Sequence, residues 1–284
     1  MIDLHCHMVP HIDDGASSVD VALKMARIAV AEGITTTACT PHIYPAVFEN
    51  DQAGILQGVA RLRERLAEAA IPLDLTYGAD IQIVPELIEG LRSGRMATLN
   101  GSRYFLFEPP HYSVPQYFEQ QIFDCLACGY VPVITHPERL KWLNDAYYQW
   151  FVNAAQDGAW IQITADAITG RFGREARGWA ERFLDDGLVH ILASDGHDDV
   201  HRPPRLSEGR RAAERWVGAA EAERLVLQRP QAILDNLDPA KVPPPPGLVE
   251  GAGGADEDAK AGGRPAQRPD EALSLFQRFS RLFS

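Results

Sequence analysis

Positive charge is in deficit in this chain: 27 Lys and Arg stand against 39 Asp and Glu among 284 residues, a formal charge of -12. Affinity for a phosphate backbone rests on clustered Lys and Arg, so nucleic acid is excluded as the expected partner. Long apolar runs are missing too. No stretch approaches the roughly 18 to 20 residues that a membrane span needs, and no basic segment with an apolar core precedes Ile2, so a cytoplasmic protein without a secretory signal is expected. Cysteine is scarce: Cys6, Cys39, Cys125 and Cys128 form no disulfide framework and fit a reducing compartment. The 45% of apolar residues suffice for one sizeable core, and a single large α/β domain is the simplest count.

What is present is a regular alternation of strand and helix signals. Ile2 to His7 reads as a buried strand, Ser18 as the N-cap of a helix over Val19 to Ala31, Gly33 as its C-terminal stop, and Ile34 to Cys39 as the next strand. Further strands are expected at Leu73 to Tyr77, Tyr104 to Phe107, Val131 to Thr135, Trp160 to Thr164 and Leu188 to Ala193, with helices between them. Repeated βα units with near-continuous apolar strands imply a parallel sheet closed, or nearly closed, into a barrel of seven strands. That domain is expected over 1–240. A Pro- and Gly-rich flexible linker follows over 241–269, and 270–284 regains helical periodicity, with Leu273, Phe276, Phe279, Leu282 and Phe283 on one face. Such a helix either docks on a membrane or a partner groove or folds back on its own domain.

Six short segments end in metal-binding residue types, most of them after an apolar run: His5-Cys-His7, Thr-Pro-His42, Gly-Ala-Asp80, Leu-Phe-Glu108, Thr-His136-Pro-Glu-Arg139 and Ser-Asp195-Gly-His197. In an α/β barrel all strand C-termini open on one face, so these residues should converge there. Two residues apart on a strand, His5 and His7 point to the same side. Imidazole plus carboxylate without a thiolate set suits Mn, Fe, Zn or Ni better than Ca or Mg. Closely spaced divalent ions lower the pKa of a bound water from about 15.7 towards about 7, which makes metal-activated hydroxide, and hence hydrolysis, the natural chemistry. Arg139 and Arg202 follow His136 and His197 on the same expected face, and the guanidinium fork matches phosphate oxygens. A phosphoester is the indicated substrate.

These segments, together with Asp13-Asp14-Gly15, Leu99-Asn100-Gly101-Ser102-Arg103-Tyr104 and Arg202-Pro203-Pro204, resemble the polymerase and histidinol phosphatase (PHP) superfamily. Within it they look like the bacterial capsule and exopolysaccharide protein-tyrosine phosphatases of the CpsB and YwqE type, over about residues 1–237. The resemblance implies a distorted seven-stranded PHP-type barrel and three divalent ions, Mn2+ first, with Fe or Zn as alternatives. It implies one ion on His5, His7, Asp80 and Asp195, a second bridged by Asp80 to Glu108 and His136, and a third on Asp14, His42 and His197. Arg139 and Arg202 would bind phosphate, with His136 also in the catalytic set. Asp80 stands where that family usually has Glu, and Asp13 or His11 is an alternative to Asp14 as the loop ligand.

The implied partner is a tyrosine-phosphorylated protein, a membrane-associated autophosphorylating kinase of polysaccharide export; the oligomeric state stays open. Thiol-based tyrosine phosphatases need an Arg six residues after the nucleophilic Cys, and the residues in that position here are Ile12, Pro45, Val131 and Ile134. The Cys125 and Cys128 pair falls in an expected helix and reads as packing. A small-molecule phosphatase such as a histidinol phosphatase and a catalytically weak regulatory scaffold are the competing readings.

Overall fold

Local chemistry sets the element boundaries. In the computed structural model, which describes residues 1–249, β1 (Ile2–Cys6) is followed by α1 (Val19–Ala31), whose first turn is closed by Ser18 accepting from the Val21 N–H. Gly33, at φ +83°, then turns the chain in the left-handed region that glycine adopts without strain. Next come β2 (Thr36–Cys39), β3 (His42–Ile43), α2 (Gln52–Glu68), β4 (Asp74–Tyr77), β5 (Asp80–Gln82) and α3 (Leu87–Arg92). They lead to β6 (Tyr104–Glu108), α4 (Phe118–Ala127), β7 (Val131–Thr135), α5 (Asp145–Asp157) and β8 (Trp160–Thr164). The order closes with α6 (Ala165–Ile168), α7 (Gly173–Asp185), β9 (Ile191–Ala193), α8 (Ser207–Val217), α9 (Ala219–Glu223) and α10 (Arg229–Leu234). Asp51 and Asn144 cap α2 and α5 as Ser18 caps α1.

The seven-stranded barrel expected from sequence needs correction. The described residues contain nine strands in two parallel sheets, ordered β1-β2-β4 and β3-β5-β6-β7-β8-β9, and no closed barrel. Two of the expected strands are each followed, after a two-residue break, by a short strand that was not expected. β2 stops before Thr40 and Pro41 and resumes as β3; β4 stops before Gly78 and Ala79 and resumes as β5. Pro41 has no N–H for a ladder, which is why the first break falls there. Single backbone bonds span the kink, from Gly78 N–H to Cys39 O (3.0 Å) and from Asp80 N–H to Pro41 O (3.1 Å). On the other flank β1 meets the segment after β9 through one bridge, Cys6 with Gly196, and through Asp195 N–H donating to His5 O at 2.8 Å. Both sheets therefore bring their strand C-terminal ends to one side.

Alternation along the strands builds two apolar layers. Phe105 and Phe107 of β6 pack outward into the large core shared with the helices, while Tyr104 and Leu106 join Ile2, Leu4, Val133 and Ile191 in a smaller inner core closed by Ile233 of α10. A bulge between Asp3 and Cys6 shifts the phase of β1. Ile2 and Leu4 belong to the inner layer, yet Cys6 goes to the outer one, leaving His5 and His7 at the top of the inner face.

Residues 241–249, the start of the expected linker, lie against the domain: Gly247 N–H donates to Gly187 O at 3.0 Å, and the buried Arg229 donates through Nε to Pro243 O at 2.9 Å. The helix expected over 270–284 lies outside the described residues.

Candidate active site

The strand ends gather the sequence-predicted residues into one cluster. His5 and His7 face each other with Nε2 atoms 3.1 Å apart. From β5, fully buried Asp80 places Oδ2 at 3.3 Å from His5 Nε2, 3.5 Å from His42 Nδ1 and 3.8 Å from His136 Nε2. Glu108, ending β6, lies 3.3 Å from His42 Nδ1 and 3.9 Å from His136 Nε2. Asp195 Oδ1 lies 3.4 Å from both His5 Nε2 and His7 Nε2. Asp14 Oδ1 stands between His197 Nε2 at 3.5 Å and His42 Nε2 at 3.6 Å.

Backbone strain marks two of these positions. His136 and Asp195 follow β7 and β9 with φ of +34° and +51°, a conformation that L residues hold only when the surroundings enforce it. For His136 the bond from its N–H to Gln162 O (3.0 Å) helps enforce it, and for Asp195 the bond to His5 O does. Glycine is required at position 15, where a Cβ would come within 2.2 Å of the His7 carbonyl oxygen, and this close approach folds the Asp13-Asp14 loop over the cluster.

The loop-ligand alternatives separate. Asp13 Oδ2 accepts from His7 Nδ1 at 2.7 Å and from the His42 backbone N–H at 3.1 Å, so it orients the His7 imidazole from behind and ties down the His42 backbone. His11 is exposed on the far side of the loop, in a different cavity beside Val19 and Leu62. Asp14 alone of the three has an oxygen among His7, His42 and His197.

Charge follows from burial. Burial alone would lower the His5 and His42 values. For His5 the charges of Asp80 and Asp195 outweigh it and push the imidazole up to about 9; for His42 its contact with Glu108 and the charges of Asp80 and Asp14 push it up to about 10. Burial followed by the Arg139 charge takes His136 down to about 4, and burial followed by the His7 charge does the same for His197. Asp80 and Asp195 are held well below the carboxylate range: burial opposes this, and the imidazolium of His5 and, for Asp195, the Arg202 guanidinium override it. The cluster is thus an anionic cage that draws in positive charge. Three of its buried atoms, His42 Nδ1, Asp80 Oδ2 and His136 Nδ1, have no hydrogen-bond partner. Orphaned buried N and O donors in groups of three or four, with ligand atoms within 4.8 Å of one another, fit divalent ions bound by imidazole and carboxylate.

Both arginines reach the cluster. Arg139 Nη1 and Arg202 Nη2 converge on Asp195 Oδ2, the latter at 2.6 Å, and the Phe172 ring lies under both guanidiniums, 4.4 Å and 5.8 Å from its centroid. Arg202 Nε is buried and unpartnered.

Residues 1–235 match the family described as "Capsular polysaccharide synthesis, CpsB/CapC". The chain belongs to the CpsB/CapC family. Among relatives of this family, the tyrosine-protein phosphatase YwqE of Bacillus subtilis is 33% identical over 246 residues, covering 87% of this chain and 96% of the relative. The tyrosine-protein phosphatase CpsB of Streptococcus pneumoniae is 29% identical over 241 residues, 82% of this chain and 98% of the relative. A solved structure from work on YwqE and CpsB, described there as unique metal-dependent tyrosine phosphatases, superposes with a TM-score of 0.78 at 33% identity over 84% of this chain and 96% of that one.

Several contributors to this CpsB/CapC site escaped sequence reading. His111 joins Glu108 and His136 in one ligand group, with Nε2 at 3.6 Å from Glu108 Oε1. Its place three residues after Glu108 was the available signal. Gln162 Oε1 lies 2.8 Å from His5 Nδ1, and its polarity within the apolar strand Trp160–Thr164 was the clue. Buried Asp3 holds Ser194 through both backbone and side chain, pinning the β1 end to the segment after β9. Three of the four cysteines are buried: burial raises the Cys6 thiol well above the ordinary value and pushes Cys39 and Cys125 to about 12, while Cys128 is half-buried. No helix among the described residues is long and apolar enough to cross a membrane.

Proposed function

We propose that this chain is a metal-dependent protein-tyrosine phosphatase acting in the cytoplasm on the phosphotyrosines of a membrane-associated, autophosphorylating kinase of polysaccharide export. The names of its relatives support the reaction class. One observation carries the reading: metal-ligand residue types His42, Glu108, His136, Asp195 and His197 line one cavity with two arginines, one of which has a buried N–H to spare.

Three ions are the count the side chains suit, with Mn2+ favoured and Fe or Zn as alternatives. His5, His7, Asp80 and Asp195 would hold one; Asp80, Glu108 and His136, joined by His111, a second; Asp14, His42 and His197 a third. When bound, such ions supply positive charge for the phosphoryl oxygens and a water acidic enough to be deprotonated near neutral pH.

The side chains of the chain do the rest. Asp13 and Gln162 fix His7 and His5 by bonding their far ring nitrogens, which leaves Nε2 of each facing Asp195. Arg139 and Arg202 present fork donors for the equatorial oxygens of the transferring group, where charge persists through the transition state. Phe172 holds the two forks together from beneath. The leaving phenolate, with a pKa of about 10, departs without a dedicated acid.

Purified protein with added Mn2+, offered a phosphotyrosine peptide, a phosphoserine peptide and histidinol phosphate, tests this. Turnover of the phosphotyrosine peptide is expected. Turnover of histidinol phosphate alone would sink the protein-phosphatase reading, and bound metal without any turnover would favour the scaffold.

A further inference from the structure

We propose that the apolar residues sharing a cavity with the arginine pair form the subsite for the phenyl ring of the substrate and set a preference for aryl over alkyl phosphates; this rests on the phosphatase reading above. The cavity, of about 430 Å³, is lined by two unlike sets of residues. One comprises Asp14, His42, Glu108, His136, Asp195 and His197 with Arg139 and Arg202. The other consists of Tyr44, Val47 and Phe48 from the loop after β3 and Pro110 and Tyr112 from the loop after β6.

Both loops are held in place. Tyr44 and Phe48 exchange backbone bonds of 3.0 Å and 2.7 Å, and Asn50 Nδ2 ties the loop base to Ile12 O and His42 O, each at 2.8 Å. Phe48 stacks on His42 with centroids 5.6 Å apart and planes 12° from parallel. On the second loop Trp142 Nε1 donates to Pro110 O at 2.7 Å and Lys141 N–H to His111 O at 2.9 Å. The backbone of both loops is therefore tied down, and ring binding loses little to ordering it.

Exposure is the unusual part. Val47 is 57% exposed and Tyr112 86%, and both border the cavity that holds the charged cluster. Apolar side chains presented at the rim of a binding cleft mark what the cleft accepts. With its phosphate between the arginines, phosphotyrosine extends a rigid aromatic body that can lie against these side chains. Phosphoserine offers one methylene, too short to reach them.

Titrating the metal-loaded protein with phenylphosphonate and methylphosphonate, which are not hydrolysed, tests the subsite without turnover; kcat/KM for phosphotyrosine and phosphoserine peptides is measured alongside. Wild type should prefer the phenyl compound by about tenfold or more, Tyr112→Ala and Val47→Asp should reduce that ratio to about threefold or less, and Tyr112→Phe should retain it. Equal binding of the two phosphonates, or a ratio unmoved by Tyr112→Ala and Val47→Asp, overturns the inference even if phosphotyrosine is hydrolysed. A phenyl preference lost in those two variants supports the subsite even if no phosphoester turns over, in which case the phosphatase reading alone fails.

Discussion

Asp80→Asn keeps the shape of a side chain and removes its charge from the point where three imidazoles meet. Asp80 Oδ2 lies 3.3 Å from His5 Nε2, 3.5 Å from His42 Nδ1 and 3.8 Å from His136 Nε2, so any cation held by those rings sits beside it. Opposite unit charges about 4 Å apart attract by about 4 kcal/mol at an effective dielectric of about 20. Relief of the burial of a carboxylate offsets part of this, leaving a net loss of about 3 kcal/mol, or at least a hundredfold weaker binding of divalent ions. Metal content after dialysis and Mn2+ titration against a competing chelator measure it.

The metal-free protein offers a second readout of the same charge. His5 and His42 have values raised to about 9 and about 10, so their stabilisation is complete below the unfolded value of about 6.5 and is lost as pH rises through about 9 to 10. Wild type should exceed the variant in stability most near pH 6 and converge with it towards about pH 10 in denaturant titrations. An Asn variant that binds as many ions, as tightly, as wild type would refute the bridging role and the cage argument with it.

Replacing Arg139 or Arg202 by Lys should lower kcat/KM for a phosphotyrosine peptide by about a hundredfold and weaken inhibition by inorganic phosphate while metal content stays unchanged; unaltered phosphate inhibition would remove them from the anion site. Cys6→Ser should retain turnover, because burial keeps that thiol protonated. Loss of turnover in a folded, metal-loaded Cys6→Ser protein would overturn the metal-based mechanism. Arg229→Ala should cost about 2 to 3 kcal/mol in chemical denaturation, because buried Glu221 loses its buried partner at 2.6 Å and keeps only the more exposed Arg224 at 2.9 Å. A cost below about 1 kcal/mol would show that this ion pair does not hold the fold together.

The strands at Val131–Thr135 and Trp160–Thr164 and the capped helix Val19–Ala31 were legible residue for residue, because apolar runs and a Ser N-cap are local signals. The short strands His42–Ile43 and Asp80–Gln82 were not. Each is two or three residues long and exists only through pairing with its neighbour, at His42 with Asp80 and at Asp80 with Leu106. Barrel closure failed as an expectation for a similar reason: a run of β-branched residues says nothing of a kink at Thr40 and Pro41 that passes the chain from one sheet to the other.

Taken alone, the sequence determined which residue types end the strands, and thus that imidazoles, carboxylates and two arginines would share one face. Chemical identity and strand periodicity are carried in the chain itself. Only the tertiary structure decided how those groups divide their work. Asp13 turns to His7 while Asp14 turns inward, although they are adjacent in sequence, because Gly15 lets their loop fold onto the His7 carbonyl. Gln162 comes beside His5, and Val47 and Tyr112 come to line the cavity that holds the arginines, through contacts between segments far apart in the chain. Such contacts depend on where sheets bend and loops are tied, and no local pattern encodes them.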